Sequence, residues 1–131
     1  VQTALKDPFV PVASDGWVMT ASGTGNPHPR SFGTFTRVLG HYVRALGTLS
    51  LEEAIRKMTS LPASRAGLQD RGAIRPGLVA DLVIFDPDAV TDHSTYAEPW
   101  QLSSGISQVL VAGETAYKDG SPTDMRMGQV I

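Results

Sequence analysis

An apolar run that ends in an acid is the first place where this sequence could do chemistry. Phe9, Val10, Pro11, Val12, Ala13 and Ser14 read as a buried parallel strand, and Asp15-Gly16 close it. Pro11 lacks the N–H that central pairing needs, which weighs against an ordinary strand. Barrels of alternating strands and helices place their active sites at the C-terminal ends of strands, which is where Asp15 falls. A carboxylate there can bind a divalent cation and take a proton from metal-bound water. Ser14-Asp15-Gly16 also fit a plain turn in which the Asp caps its own backbone.

The histidines are His28, His41 and His93. Metal sites commonly use His-x-His or His at i and i+4, and no two of these are so spaced. His41 falls on the polar side of a helix and His93 in the Asp92-His93-Ser94 loop, both solvated positions. His28 stands two residues before Arg30 and either orients it or lines a pocket. Trp17 and Trp100 suit pocket or interface anchors, though burial in a core is the commoner fate of such rings. There is no cysteine, which excludes disulfides and thiolate metal sites within the chain and fits a cytoplasmic protein.

The elements that position these groups follow from periodicity and punctuation. Residues 20–30 are turn-rich and belong at a surface or over a pocket. From Ser31, the residues Phe32, Phe35, Val38, Leu39, Tyr42, Val43 and Leu46 repeat at three and four, which predicts one helix ended by Gly47. Ser50 opens a second helix with Glu53 three residues on, a capping box, and Leu51, Ala54, Ile55, Met58 and Leu61 form its apolar face. Pro62 fits the first position of a third, short helix that Gly67 terminates. Beyond Gly67 the chain turns β-like, with strands at 78–85, 108–112 and 115–118. Gly113-Glu114 supply a tight turn, and Asp119-Gly120 end the last strand. Residues 121–131 are polar and wrap a surface. The shift near residue 67 divides the chain into 1–67 and 68–131.

The ordered set Pro62-Ala63, Gly67-Leu68, Gly72-x-Ile74-x-Pro76-Gly77 and Ala80-Asp81-Leu82-Val83 resembles the C-terminal end of metal-dependent amidohydrolases. There the chain leaves a (β/α)8 barrel and enters a small β-sandwich. With Ser14-Asp15-Gly16, His28-Pro29-Arg30, Gly33-Thr34-Phe35, Arg37-Val38-Leu39-Gly40, Leu51-Glu52-Glu53-Ala54 and Lys57-Met58-Thr59, nearly the whole chain is similar to N-acyl-D-amino-acid deacylases, the D-aminoacylases. The resemblance implies an α/β fragment: the last strand and helices of the barrel over 1–67, then C-terminal strands of the sandwich over 68–131.

It also implies roles. Asp15 matches the family's metal-linked general acid/base. Arg30 matches the arginine that holds the substrate carboxylate, a task suited to its planar fork, with His28 beside it. Zinc would serve the parent enzyme, and its other ligands would lie upstream. Asp15 alone would not hold zinc tightly, so the isolated chain is expected to bind none tightly and to be inactive. Asp81 opens a sandwich strand in the superfamily and reads as a structural turn residue. The loop 17–26 is Gly/Thr/Ser-rich where many relatives carry acidic and histidine residues, a departure that bears on substrate preference.

Composition narrows the alternatives. The 131 residues suffice for one domain, and a net charge of -2 gives no reason to expect nucleic acid or an anionic membrane as partner. No apolar run is long enough to span a bilayer. The N-terminus has no signal-like pattern and no initiator Met, which suggests a start within a longer gene. A related dipeptidase, hydantoinase or dihydroorotase is the alternative enzyme, and a non-catalytic module that self-associates is the alternative class. His28-Pro29-Arg30 with Gly33-Thr34-Phe35 favours the deacylase, whose substrate is an N-acyl-D-amino acid.

Overall fold

The computed structural model describes residues 1–19 and 23–130; positions 20–22 of the turn-rich loop and position 131 of the C-terminal tail lie outside the described residues. Helices occupy the first half: α1 (Gln2–Lys6), α2 (Arg30–Arg37), a π-helical continuation (Val38–Ala45), α3 (Leu51–Met58) and α4 (Ser60–Arg65). A four-stranded antiparallel sheet occupies the second: β1 (Leu82–Phe85), β2 (Ile106–Val111), β3 (Glu114–Lys118) and β4 (Ser121–Pro122), in the order β1-β2-β3-β4. No described helix is long and apolar enough to cross a membrane.

The expected strand at 9–14 does not form. The segment runs extended without a ladder, and Val12 N–H donates to the Lys57 carbonyl at 3.0 Å. Pro11 brings no donor, and no other strand of the described residues lies beside it. Lys57 anchors the segment from the other side. It is fully buried, and its ammonium donates to the carbonyls of Asp7 and Val10, the latter at 2.8 Å. Buried cations need such partners, because unpaired burial is costly.

The single helix expected from Ser31 to Leu46 begins as α2 and then widens. Over Val38–Ala45 it is a π-helix, closed by Leu46 N–H to the His41 carbonyl at 2.9 Å. Spacing of three and four describes an α-helix, so tertiary contacts that local sequence does not announce accompany the widening. Arg44 donates to the carbonyls of Pro87 (2.9 Å) and Val90 (2.7 Å). Gly40 lets Val90 approach: a β-carbon there would sit 2.7 Å from the Val90 carbonyl oxygen.

The capping box at α3 is half made. Ser50 Oγ accepts the Glu53 N–H at 3.2 Å, but the Glu53 carboxylate goes to Arg56 at 2.7 and 2.8 Å. A charged guanidinium outcompetes a backbone N–H. α4 starts two residues before Pro62, still within the first turn, where a missing N–H costs nothing.

In the sheet, Leu82 faces Leu110 and Val109 faces both Val83 and Tyr117. β1 starts at Leu82 rather than Leu78, because residues 79–81 bond outside the ladder: Val79 N–H to the Asp70 carbonyl (2.8 Å) and Asp81 N–H to the Val79 carbonyl (3.0 Å). The β2–β3 turn is Ala112-Gly113, one residue earlier than the sequence suggested, with φ of 51° and 84°. Positive φ at both central positions matches the right-handed strand twist of a two-residue hairpin. Asp81 secures this turn, accepting the Ala112 N–H at 2.9 Å and pairing with Arg71 at 3.2 Å. After Asp119-Gly120 the chain pairs again as β4 before its polar tail.

Val38, Leu39, Ala54 and Val90 form the core, with Tyr42, Ile55, Met58, Phe85 and Ile106 packed around them. Helical and β-rich halves therefore share one apolar cluster, in which burying each large aliphatic side chain contributes roughly 1.5–3 kcal/mol. Neither tryptophan joins it. Trp17 is 78% exposed, and Trp100 stands half-buried against Phe32 with its indole N–H on the Gly25 carbonyl at 3.0 Å.

Candidate active site

Asp15, His28 and Arg30 come together where the extended segment meets the start of α2. Asp15 has a φ of 49°, a left-handed conformation that Asp tolerates better than most residues. The turn around it is held by Ser14, whose hydroxyl accepts the Gly16 N–H at 3.1 Å. The Asp15 carboxylate instead points outward and pairs with Arg30 at 2.9 Å. Gly16 allows this, since a β-carbon there would lie 3.0 Å from Ser31 Cα and 3.2 Å from the Arg30 carbonyl. Both neighbours are backbone, so any larger residue at position 16 would press them apart by a few tenths of an ångström.

His28 lies two residues before α2 with both ring nitrogens engaged. Nδ1 accepts the Arg30 N–H at 3.0 Å, and Nε2 lies 2.9 Å from Tyr96 Oη. The His28 and Tyr96 rings meet edge to face, 5.1 Å between centroids. Arg30, His28 and Tyr96 line a groove of about 600 Å³ that also reaches Tyr42, Arg37 and Asp92.

The wall opposite α2 comes from the long connection between β1 and β2. Asp92 pairs with Arg37 at 3.0 Å, and this hydrogen bond raises the Arg37 pKa above its ordinary value against an opposing desolvation. Ser103 Oγ donates to the Phe32 carbonyl at 3.0 Å and meets Thr36 Oγ1 at 2.6 Å. Gly33 is where Asp92 packs on α2, 3.0 Å from a would-be β-carbon. Sequence reasoning missed Tyr96 and Asp92. They lie 68 and 55 residues from their partners, a separation that no local spacing reveals.

His41 packs edge to face on Tyr42, and His93 Nε2 lies 2.8 Å from Ser104 Oγ; neither approaches Asp15. Zinc, implied by the resemblance, meets one donor here. Among the described residues no three His, Cys, Asp or Glu side chains converge to hold a metal, and His28 has no free nitrogen to offer. Asp15 by itself falls short of a four-coordinate set, so these residues do not make a zinc site.

Residues 1–117 match the amidohydrolase family model. The chain is 47% identical over 105 residues to a D-aminoacylase of Alcaligenes xylosoxydans xylosoxydans, covering 80% of this chain and 22% of that protein. It is 46% identical over 132 residues to an N-acyl-D-aspartate deacylase of the same organism, covering 100% of this chain and 26% of the relative. A solved D-aminoacylase superposes on 95% of the chain and 25% of its own length, with a TM-score of 0.87 at 44% identity. An N-acyl-D-glutamate deacylase from Bordetella bronchiseptica, solved with zinc and a phosphonate mimic of the tetrahedral intermediate, gives 0.87 at 44% identity over 98% of this chain and 26% of that one. The chain thus spans about a quarter of the length of these relatives. With the family model matched over most of its residues, and the fold shared with solved D-aminoacylases, the chain belongs to the amidohydrolase family.

Proposed function

We propose that this chain is the C-terminal part of an N-acyl-D-amino-acid deacylase. It contributes a proton-transferring carboxylate and a carboxylate-binding guanidinium to a site completed by residues outside it. One observation carries the reading: Asp15 and Arg30 lie 2.9 Å apart. In an N-acyl amino acid, a single carbon separates the amide nitrogen from the carboxylate. An enzyme that grips the carboxylate while moving protons at the amide needs its fork and its acid/base group side by side. Arg30 holds the carboxylate, and Asp15 takes the proton of the attacking water and returns it to the leaving amine. His28 fixes the start of α2 and so aims Arg30. The zinc reported in the N-acyl-D-glutamate deacylase would need ligands beyond this chain.

In this reading, residues 1–67 are the end of a (β/α)8 barrel and 68–131 a sandwich portion. The confinement of helices to 2–65 and of strands to 82–122 supports that division. A sequence without cysteine accords with a cytoplasmic enzyme. The isolated chain is inactive and self-associates through exposed Phe9, Trp17 and Val18.

The test is hydrolysis by the full-length protein that carries this sequence. N-acetyl-D-amino acids should be cleaved, and their L-enantiomers, hydantoins and dihydroorotate should not. Preferential turnover of a cyclic amide would overturn the assignment.

A further inference from the structure

We infer that Trp100 is a positioning residue: it latches the stretch 25–32, in which Arg30 lies, onto the β1–β2 connection and keeps that stretch ordered before substrate arrives. Its effect on substrate rests on the reading of Arg30 as the carboxylate-binding group. The indole N–H donates to the Gly25 carbonyl at 3.0 Å, and the ring meets that of Phe32 with 5.6 Å between centroids and 52° between planes. One side chain thus holds the backbone ahead of Arg30 and the helix turn behind it. The latch is itself anchored. Ser94, which is buried, donates to the carbonyl of Pro99, the residue before Trp100, at 2.7 Å. Thr91 and Ser104 exchange both backbone hydrogen bonds, at 3.2 and 3.1 Å, and Asp92 pairs with Arg37 at 3.0 Å. The connection is therefore fastened on both sides of the tryptophan.

The stretch it holds has little else to order it. Residues 23–26 are exposed, and Gly23 and Gly25 have φ of 70° and 82°. A β-carbon at either glycine would meet nothing within 4 Å. Glycine with open space around it loses the most conformational freedom when it is fixed. Pro29, which precedes α2, contributes no side-chain cap. A stretch already held in place does not charge its ordering against substrate binding. That ordering is needed equally with substrate bound and in the transition state, so its loss raises KM and spares kcat. Trp100 touches no reacting atom in this account and acts only through the backbone that carries Arg30.

The test uses the full-length enzyme, an N-acetyl-D-amino acid and the carboxamide analogue of that substrate. Trp100→Phe keeps an aromatic ring near Phe32 and removes the N–H. Backbone amide exchange over residues 23–28 should quicken in this variant. KM for the acid should rise roughly two- to tenfold, the worth of one neutral hydrogen bond, with kcat within about twofold. KM for the carboxamide should stay at the parental value, because Arg30 has no anion to hold there. Replacing Trp100 by 3-benzothienylalanine, which keeps the ring shape and puts sulfur in place of the N–H, should reproduce the Trp100→Phe result. Unchanged exchange over 23–28 overturns the inference. So do equal KM rises on acid and carboxamide, which a merely structural role would give, or a benzothienyl enzyme with parental behaviour. Failure of the carboxylate-binding reading shows differently, as an Arg30→Ala enzyme with parental KM for the acid.

Discussion

Asp15 pairs with the Arg30 guanidinium at 2.9 Å, although both side chains face solvent. The pair sits at a residue with positive φ, where the backbone conformation is uncommon for anything but glycine. Exposed ion pairs contribute about 0–1 kcal/mol, so a carboxylate that competes for Arg30 displaces Asp15 at little cost. Under the proposed function, displacement would hand the fork to the substrate and free Asp15 at the same moment.

Asp15→Asn in the full-length enzyme should cut kcat by about 10²- to 10⁴-fold while KM changes little, because Asn cannot accept the water's proton. Steady-state kinetics on N-acetyl-D-amino acids is the measurement. Near-parental kcat would remove Asp15 from the chemistry.

Arg30→Ala should leave kcat nearly intact and lower kcat/KM roughly 10- to 150-fold, the worth of a hydrogen bond to a charged group. With the carboxamide analogue of the substrate, the loss should vanish, since no anion is left for the fork to hold. Equal losses on acid and amide would mean that Arg30 does not read the carboxylate.

Gly40→Ala should destabilise the chain, against the usual gain of about 0.5–1 kcal/mol for that change within a helix. The new β-carbon would meet the Val90 carbonyl oxygen at 2.7 Å and Thr91 Cα at 3.2 Å. Overpacking against backbone of this kind costs about 1–3 kcal/mol. Chemical denaturation of the variant should show a lower midpoint, and a higher one would contradict the packing of the π-helical segment on Val90.

Stability should fall in acid through two surface pairs. Hydrogen bonds from Arg56 and Arg71 hold the Glu53 and Asp70 carboxyls below their ordinary values of 4.5 and 3.8. The folded chain then binds fewer protons at these sites than the unfolded chain. The contribution is complete above the ordinary values and is lost as pH falls through the lower folded-state values. Thermal unfolding between pH 6 and pH 3 should show the decline, smaller in Glu53→Gln and smaller at high salt.

Local signals carried the helices from α2 onward and the hairpin region, while only the family resemblance singled out Asp15 and Arg30 together. Ser50 before an acidic first turn and Gly47 after an apolar stripe act within a few residues, so their readings stand to within a turn. Signals failed where the deciding partner was distant. The widening after Arg37 goes with carbonyls at 87 and 90; the Glu53 half of the capping box, by contrast, lost to a charged neighbour three residues on, Arg56. Residues 9–14 have strand composition but find no strand beside them, and composition does not encode a neighbour. Trp17 and Trp100 suit a core by type, yet Trp17 stays exposed and Trp100 only half-buried, outside the core cluster.

The burial of Lys57 has a chemical consequence. Its ammonium is spent on the carbonyls of Asp7 and Val10, and its own carbonyl takes the Val12 N–H, so one residue clasps the segment leading to Asp15. An amine engaged in this way, without solvent access, does not meet an acylating reagent, whereas exposed Lys6 and Lys118 do. Modification of Lys57 therefore requires the 7–12 segment to lift away. The rate at which that one amine is labelled, relative to the other two, is a clock for how often the segment leading to Asp15 loses its footing.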